Sequence, residues 1–308
     1  MHTLATFALL AALAGTPAEA GLPPDPPPPA AVDPPPGPGL LLGERYRYPR
    51  LVLPLRFAAD LVAIPASVAR WETRDFEILA LYTGAVAALM TPSTPSPALS
   101  PDARLQRWVN QTLGPDRFRI WTRTGDMLVW TGIWTVASST LLYSWLAGDP
   151  ALAESFSLML EAFGVAQIYQ VGIKLILGRE GPNDGDARGL MHGPAGFFRL
   201  FPAGTPSGHA ASLYAMIGAV SAYWNLPWLE VAMQTFGLAF CVSVVTDNYH
   251  FISDVVWGAA MGYYLGRWVV RHRSTRYRYE KDALVPVAVA PLIAPASGTY
   301  GLSLTWRF

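Results

Sequence analysis

Long apolar runs separated by short polar breaks dominate the chain. From Arg50 onward the runs exceed ten residues, a length at which helix is favoured over strand. Leu51–Trp71 is amphipathic and interrupted by Pro54 and Pro65. Phe76–Met90 is almost unbroken, and Ala103–Leu113 is short and polar on one side, as a surface or interfacial helix would be. Met127–Leu146, Phe156–Leu177, His209–Trp224, Trp228–Val245 and Asp254–Val270 make five further apolar helices. The last of these carries Gly258, Gly262 and Gly266, a small-xxx-small face that lets a second helix approach closely. At the C-terminus the period changes. Tyr300, Leu302, Leu304, Trp306 and Phe308 alternate with Gly301, Ser303, Thr305 and Arg307, after a turn signal at Pro295 to Gly298. A period of two marks a half-buried strand, and together with the β-branched run 284–293 it predicts a β-hairpin.

Residues 1–20 hold an apolar stretch from Leu4 to Ala14 and end on Ala18-Glu19-Ala20, the small-x-small pattern of a cleavable secretory signal; a short membrane anchor is the alternative. Residues 21–40 contain ten prolines, which favour polyproline II and a semi-rigid spacer over a ligand for a partner. The expected organisation is a signal peptide over 1–20, a proline-rich linker over 21–48, a helical domain over 49–272 and a C-terminal hairpin over 283–308. The fold class is all-α: a multi-helix bundle with that hairpin appended.

Composition bears on where the bundle sits. Apolar residues make up 52% and charged residues 14%, well below the quarter or so of charge in a soluble domain. Met127–Leu146, Phe156–Leu177 and Trp228–Val245 approach the ~20 residues that cross a bilayer. The basic run that begins at Arg267 would suit a cytoplasmic flank. Membrane association is therefore expected, with a soluble periplasmic bundle as the competing reading. With the signal, this places the protein in the cell envelope, its site facing the periplasm or the exterior. Lys plus Arg and Asp plus Glu each number 22, so no net field draws the chain to nucleic acid. A homo-oligomer stays open. Cys241 is the one cysteine and can form no internal disulfide.

Three segments carry candidate chemistry: Lys174 to Pro182, Pro206-Ser207-Gly208-His209, and Ser243 to Asp254. The second opens a helix, whose free N–H groups and positive dipole end suit an oxyanion. Gly208 lets a ligand approach the backbone, and His209 can hold or donate a proton near neutrality. In the third, His250 and Asp254 are four apart and share a helix face; a carboxylate on one imidazole nitrogen leaves the other free to attack. A buried structural His–Asp pair has the same spacing. The helix from His209 runs out ~23 Å at 1.5 Å per residue, and the next returns His250 to its level. Lys174 reaches that level too if its helix packs antiparallel. The loop of about 28 residues between Lys174 and His209 is long enough to be functional and holds Arg179, Arg188, His192 and Arg199. A Lys, several Arg, a helix N-terminus and two His at one end of a bundle make a site for phosphate or a similar oxyanion.

These segments resemble the three motifs of the phosphatidic acid phosphatase type 2 / vanadium haloperoxidase family: K-x6-R-P, P-S-G-H and S-R-x5-H-x3-D. The resemblance implies a phosphatase without metal or cofactor, acting on a lipid-linked or other phosphate monoester or pyrophosphate, with an amphiphilic substrate favoured. His250 would form a phosphohistidine, Asp254 orient it, and His209 protonate the leaving group and later activate water. Lys174, Ser207 and Gly208 would bind the phosphate oxygens. Two family arginines are replaced, by Gly181 and Val244, and Arg179, which fits the family's G-R-x-R-P variant, would lean in as a phosphate ligand. A catalytically weak member that binds phospholipid or scaffolds an envelope complex is the alternative, and a vanadium haloperoxidase a third reading.

Overall fold

The computed structural model describes residues 53–91, 99–113, 131, 133–184, 187–274, 288–294 and 299–305. Nine α-helices appear among them: α1 Leu53–Ser67, continued by a 3-10 turn at Val68–Arg70, α2 Thr73–Met90, α3 Pro101–Leu113, α4 Ile133–Ala147, α5 Pro150–Leu177, α6 Gly193–Leu200, α7 Gly208–Trp224, α8 Pro227–Thr246 and α9 Ile252–Arg273. Two antiparallel strands follow, β1 Ala288–Ala294 and β2 Thr299–Thr305, in register from Ala288 opposite Thr305 to Ala294 opposite Thr299. The all-α bundle and the terminal hairpin thus match expectation. The expected signal peptide and proline-rich linker lie outside the described residues.

Capping explains several boundaries. Asp149 accepts from the amides of Ala151 and Leu152 at 3.1 and 3.0 Å, and Pro150 occupies the first turn of α5, where its missing N–H costs nothing. Gly178 and Asn225 close α5 and α7 in the left-handed conformation. Two differences from expectation concern helices. Pro65 does not interrupt α1. It lies in the last turn, and the Leu61 carbonyl that its absent N–H leaves open accepts from the Tyr169 hydroxyl at 3.2 Å. α6 was not anticipated within the long loop.

The bundle is built on α5, α7 and α9, whose buried Leu158, Ala162, Val165, Ala211, Ala215 and Val269 form its centre. The glycine stripe of α9 behaves as its spacing predicts. A Cβ on Gly258 would lie 2.5 Å from the Ser207 carbonyl oxygen, and those on Gly262 and Gly266 would collide with the Ala211 and Ala215 carbonyls. Contact at backbone distance welds α9 to α7, the two helices that carry the candidate histidine and carboxylate. Near the middle of α5, Arg56 pairs with Glu161 at 2.8 Å and Arg273 with Asp60, all essentially unexposed. Glu161 precedes Lys174 by thirteen residues, so this charge cluster sits ~20 Å from the candidate site.

Ala151–Leu177 and Pro227–Thr246 are long and apolar enough to cross a membrane. Large apolar side chains are exposed on several helices, including Leu81, Tyr143, Leu146, Ile176, Trp228 and Val231. Surfaces of this kind mark a membrane or protein interface.

Candidate active site

The three segments meet at one end of α5, α7 and α9. Lys174 stands in the last turn of α5, and Gly178 then reverses the chain with φ of 50°; a Cβ there would strike the Gly193 carbonyl. The following loop is closed by Glu180 N–H to Leu190 O at 2.9 Å and His192 N–H to Gly178 O at 3.1 Å. Ser207 caps α7: its hydroxyl accepts from the Ala210 amide at 3.3 Å, while its own amide donates to the Asp254 carbonyl at 2.8 Å. That bond fixes the start of α7 against the start of α9. Gly208 and His209 therefore open α7 beside Asp254.

His209 and His250 come together, with ring centroids 5.7 Å apart. Tyr249 and Phe240 flank His209 at 5.7 and 6.3 Å. His250 is buried, and its Nδ1 lies 3.7 Å from Asp254 Oδ2, outside hydrogen-bond reach. Nδ1 toward the carboxylate leaves Nε2 as the side free to react. Burial pushes the His250 imidazole down to about 4, against the pull of Asp254, and Lys174 and His209 press the same way as burial. For Asp254 burial acts upward, but the Arg179 guanidinium and His250 outweigh it and bring the carboxyl down to about 2. At neutral pH the pair is thus a neutral imidazole beside a carboxylate, the protonation state a nitrogen nucleophile needs.

Lys174 is buried and donates to the Pro202 carbonyl, with its ammonium 6.0 Å from the centre of the Phe201 ring. Two of its three N–H donors are left for other acceptors. Behind it, Gln170 donates to Gln167 Oε1 at 3.0 Å, and Gln167 donates to the Ser212 hydroxyl, lining α5 against the first turn of α7.

Arg179 departs from expectation: the structure turns it inward. Nη1 donates to Ser253 Oγ at 2.9 Å and to Asp254 Oδ1, Nη2 to Asp102 Oδ2 at 2.9 Å, and Nε to the Gly189 carbonyl at 3.2 Å. The guanidinium lies 4.7 Å from the Phe251 ring centre and is fully buried. Four of its five donors are thereby engaged in the interior, two of them by carboxylates. Arg188 and Arg199 are exposed, and His192 pairs with Glu180 at 2.8 Å. The replaced positions also have local reasons. Val244 is a core residue, 1% exposed. Gly181 donates its amide to Asp184 Oδ2 at 2.9 Å, and a Cβ there would lie 3.0 Å from that oxygen and 3.1 Å from the Ala203 Cβ.

Three residues escaped the sequence reading. Asp102, on α3, accepts from the Ser253 amide at 3.1 Å and from the Ser253 hydroxyl. Gln106, one turn on, donates to the Val245 carbonyl at 2.9 Å and to Asn248 Oδ1 at 2.7 Å. Asp102, Gln106 and Ser253 together tie α3 to the segment that presents His250.

Residues 156–278, which hold all three segments, match the family model described as PAP2 superfamily. No curated protein and no solved structure matches the chain.

Proposed function

We propose that this chain, whose residues 156–278 belong to the PAP2 superfamily, is a phosphoric ester hydrolase of the cell envelope that works through a phosphohistidine. The family relationship supports phosphate-ester chemistry in coarse form. The observation that carries the finer reading is the meeting of His209 and His250 at the N-terminus of α7, with Asp254 behind His250. His250 Nε2 attacks phosphorus as the ester P–O bond breaks, and His209 gives its proton to the departing alkoxide. Water, deprotonated by His209, then attacks the phosphohistidine, releasing phosphate and restoring the neutral imidazole. Asp254 balances the positive charge that develops on His250. Lys174 and the open amides of α7 neutralise the equatorial oxygens, and the cap bond of Ser207 holds those amides in place.

The two apolar helices long enough to span a membrane and the exposed apolar side chains support membrane association and an amphiphilic substrate. Phosphate release from p-nitrophenyl phosphate, a phosphatidic acid and an isoprenyl pyrophosphate tests the reading. Release should disappear in His250→Ala, and release that persists there refutes the nucleophile assignment. A second reading, a weak or inactive member that binds phospholipid, is favoured by Gly181, Val244 and the inward turn of Arg179. It expects no turnover on any of the three esters, and activity that is lost in His209→Ala counts against it.

A further inference from the structure

Of the buried group formed by Asp102, Arg179, Ser253 and Asp254, only Asp254 has a place in the chemistry above, yet a chain of polar contacts runs from Asp102 through Arg179 to Asp254 and its neighbour His250. Asp102 lies 77 residues before Arg179 and 151 before Ser253, so three remote stretches of chain converge there. Asp102 takes both the amide and the hydroxyl of Ser253 on one side and one arm of Arg179 on the other. The second arm of Arg179 holds Asp254 Oδ1. Asp254 Oδ2 accepts the Phe251 amide at 3.0 Å and is the atom that faces His250 Nδ1. Both carboxylate oxygens of Asp254 are thereby fixed, one by charge and one by backbone. The plane of Arg179 is fixed in turn by the Gly189 carbonyl and the Phe251 ring.

We propose that Asp102 and Arg179 are positioning residues: a buried carboxylate–guanidinium relay from α3 that aims Asp254 at His250 and sets how strongly Asp254 attracts the imidazole proton. Neither residue touches substrate. Arg179 withdraws negative charge from Asp254, which keeps His250 neutral; Asp102 moderates Arg179 from behind. The other groups that bear on the imidazole are Lys174 from α5 and His209 from α7, and both oppose its protonation. The relay rests on the assignment of His250 as nucleophile for its catalytic meaning, but its effect on the imidazole does not require that any ester be hydrolysed.

That separation defines the experiment. The chain has five histidines, so imidazole signals of 13C-histidine-labelled protein in detergent can be titrated individually, with His250→Ala identifying the one of interest. Arg179→Gln should raise the His250 midpoint by about one pH unit, the scale of losing a nearby charge. Asp102→Asn should move it the other way. Arg179→Lys, which keeps the charge, should return the midpoint toward wild type. In the same variants kcat should fall, by up to about 10²-fold for a displacement near 1 Å, with KM little changed. If Arg179→Gln does not fold, Ser253→Ala removes a neutral holder of Asp102 and should lower kcat without moving the midpoint. Midpoints that stay put in folded Asp102→Asn and Arg179→Gln, or that move in the same direction in both, overturn the relay. Loss of hydrolysis by every form, with opposite midpoint shifts intact, would instead refute the hydrolase reading and leave the relay standing.

Discussion

Replacing Gly258 by Ala tests the geometry that joins fold to site without touching a catalytic group. The new Cβ would lie 2.5 Å from the Ser207 carbonyl oxygen and 3.2 Å from the amides of Ser207 and Ala211. Real Cβ contacts stay above 3.0 Å, so α9 must retreat by roughly 0.5 Å at the least (3.0 − 2.5) from a neighbour that is backbone and cannot rotate away. Overpacking of this kind costs about 1–3 kcal/mol. Removing a mid-helix glycine returns about 1 kcal/mol of helix propensity, which leaves a net loss of about 0–2 kcal/mol. The larger effect falls on the site. The Ser207 amide is bonded to the Asp254 carbonyl, so the retreat pulls the start of α7 away from the start of α9 and moves His209 relative to His250. Misplacement approaching 1 Å can lower turnover by as much as about 10²-fold. Gly84 in α2 and Gly172 in α5 are the controls, because a Cβ at either meets nothing within 4 Å. Alanine there should be neutral or stabilising by up to about 1 kcal/mol. Unfolding of detergent-solubilised protein gives stability, and phosphate release at saturating ester gives kcat. A Gly258→Ala protein with wild-type stability and wild-type kcat would refute the close-packing argument, as would equal damage from Gly172→Ala.

Acid should weaken the fold in a defined window. The folded state holds His250 neutral down to about 4 against an ordinary 6.5, so its contribution is complete above 6.5 and is lost as pH falls to 4. At 1.36 kcal/mol per unit this amounts to about 3 kcal/mol, and denaturant curves of His250→Asn should be flatter than wild type between pH 7 and 4 by that amount. Val244→Arg should fail to fold, because it places an unpaired charge at a core position, whereas Gly181→Arg should fold after displacing the Asp184 side chain; expression yield and thermal unfolding compare them. Arg273→Met should destabilise by about 3–5 kcal/mol, since it strands Asp60 beside Glu161 in the interior, and Asp60→Leu added to it should recover most of the loss in the same unfolding assay.

Elements whose signal is local were legible in the sequence. Ser207 ahead of Gly-His-Ala and the glycines at 258, 262 and 266 carry their roles in their spacing, as does the period of two at the C-terminus, where β2 pairs with β1. What escaped depends on partners remote in sequence. Asp102 in the first turn of an amphipathic helix looks like any acid placed to favour a helix dipole, and nothing near it reports Ser253, 151 residues on. The inward turn of Arg179 is hidden from the sequence for a related reason. The residue's fit to the family's G-R-x-R-P variant suggests phosphate, while its burial between Asp102 and Asp254 is decided by tertiary packing. The helix Gly193–Leu200 is two turns long with Gly193 and Gly196 in it, too short for a 3.6-residue period to stand out; Gly196 is needed because a Cβ there would lie 2.5 Å from the Gly178 carbonyl.

The fate of Arg179 changes what the site can hold. Of the two cations that the described residues bury at this end of the bundle, Arg179 is neutralised by two carboxylates, which leaves Lys174 and the N-terminus of α7 to face an anion. Asp102 and Asp254, if both ionised, outnumber Arg179, so the interior behind His250 carries a net negative charge. Burial pushes the Asp102 carboxyl up more than Arg179 brings it down, which softens that excess. Such a site stabilises positive charge developing on His250 better than it grips a highly charged oxyanion. Under the proposed phosphohistidine mechanism this favours attack on an ester over tight ground-state binding, and it argues against an anion cradle built on many cationic contacts. An arginine at 181 separates the two contributions. If it lowers KM and leaves kcat unchanged, ground-state grip is what the chain gave up; if it raises kcat, the missing guanidinium belongs to the transition state.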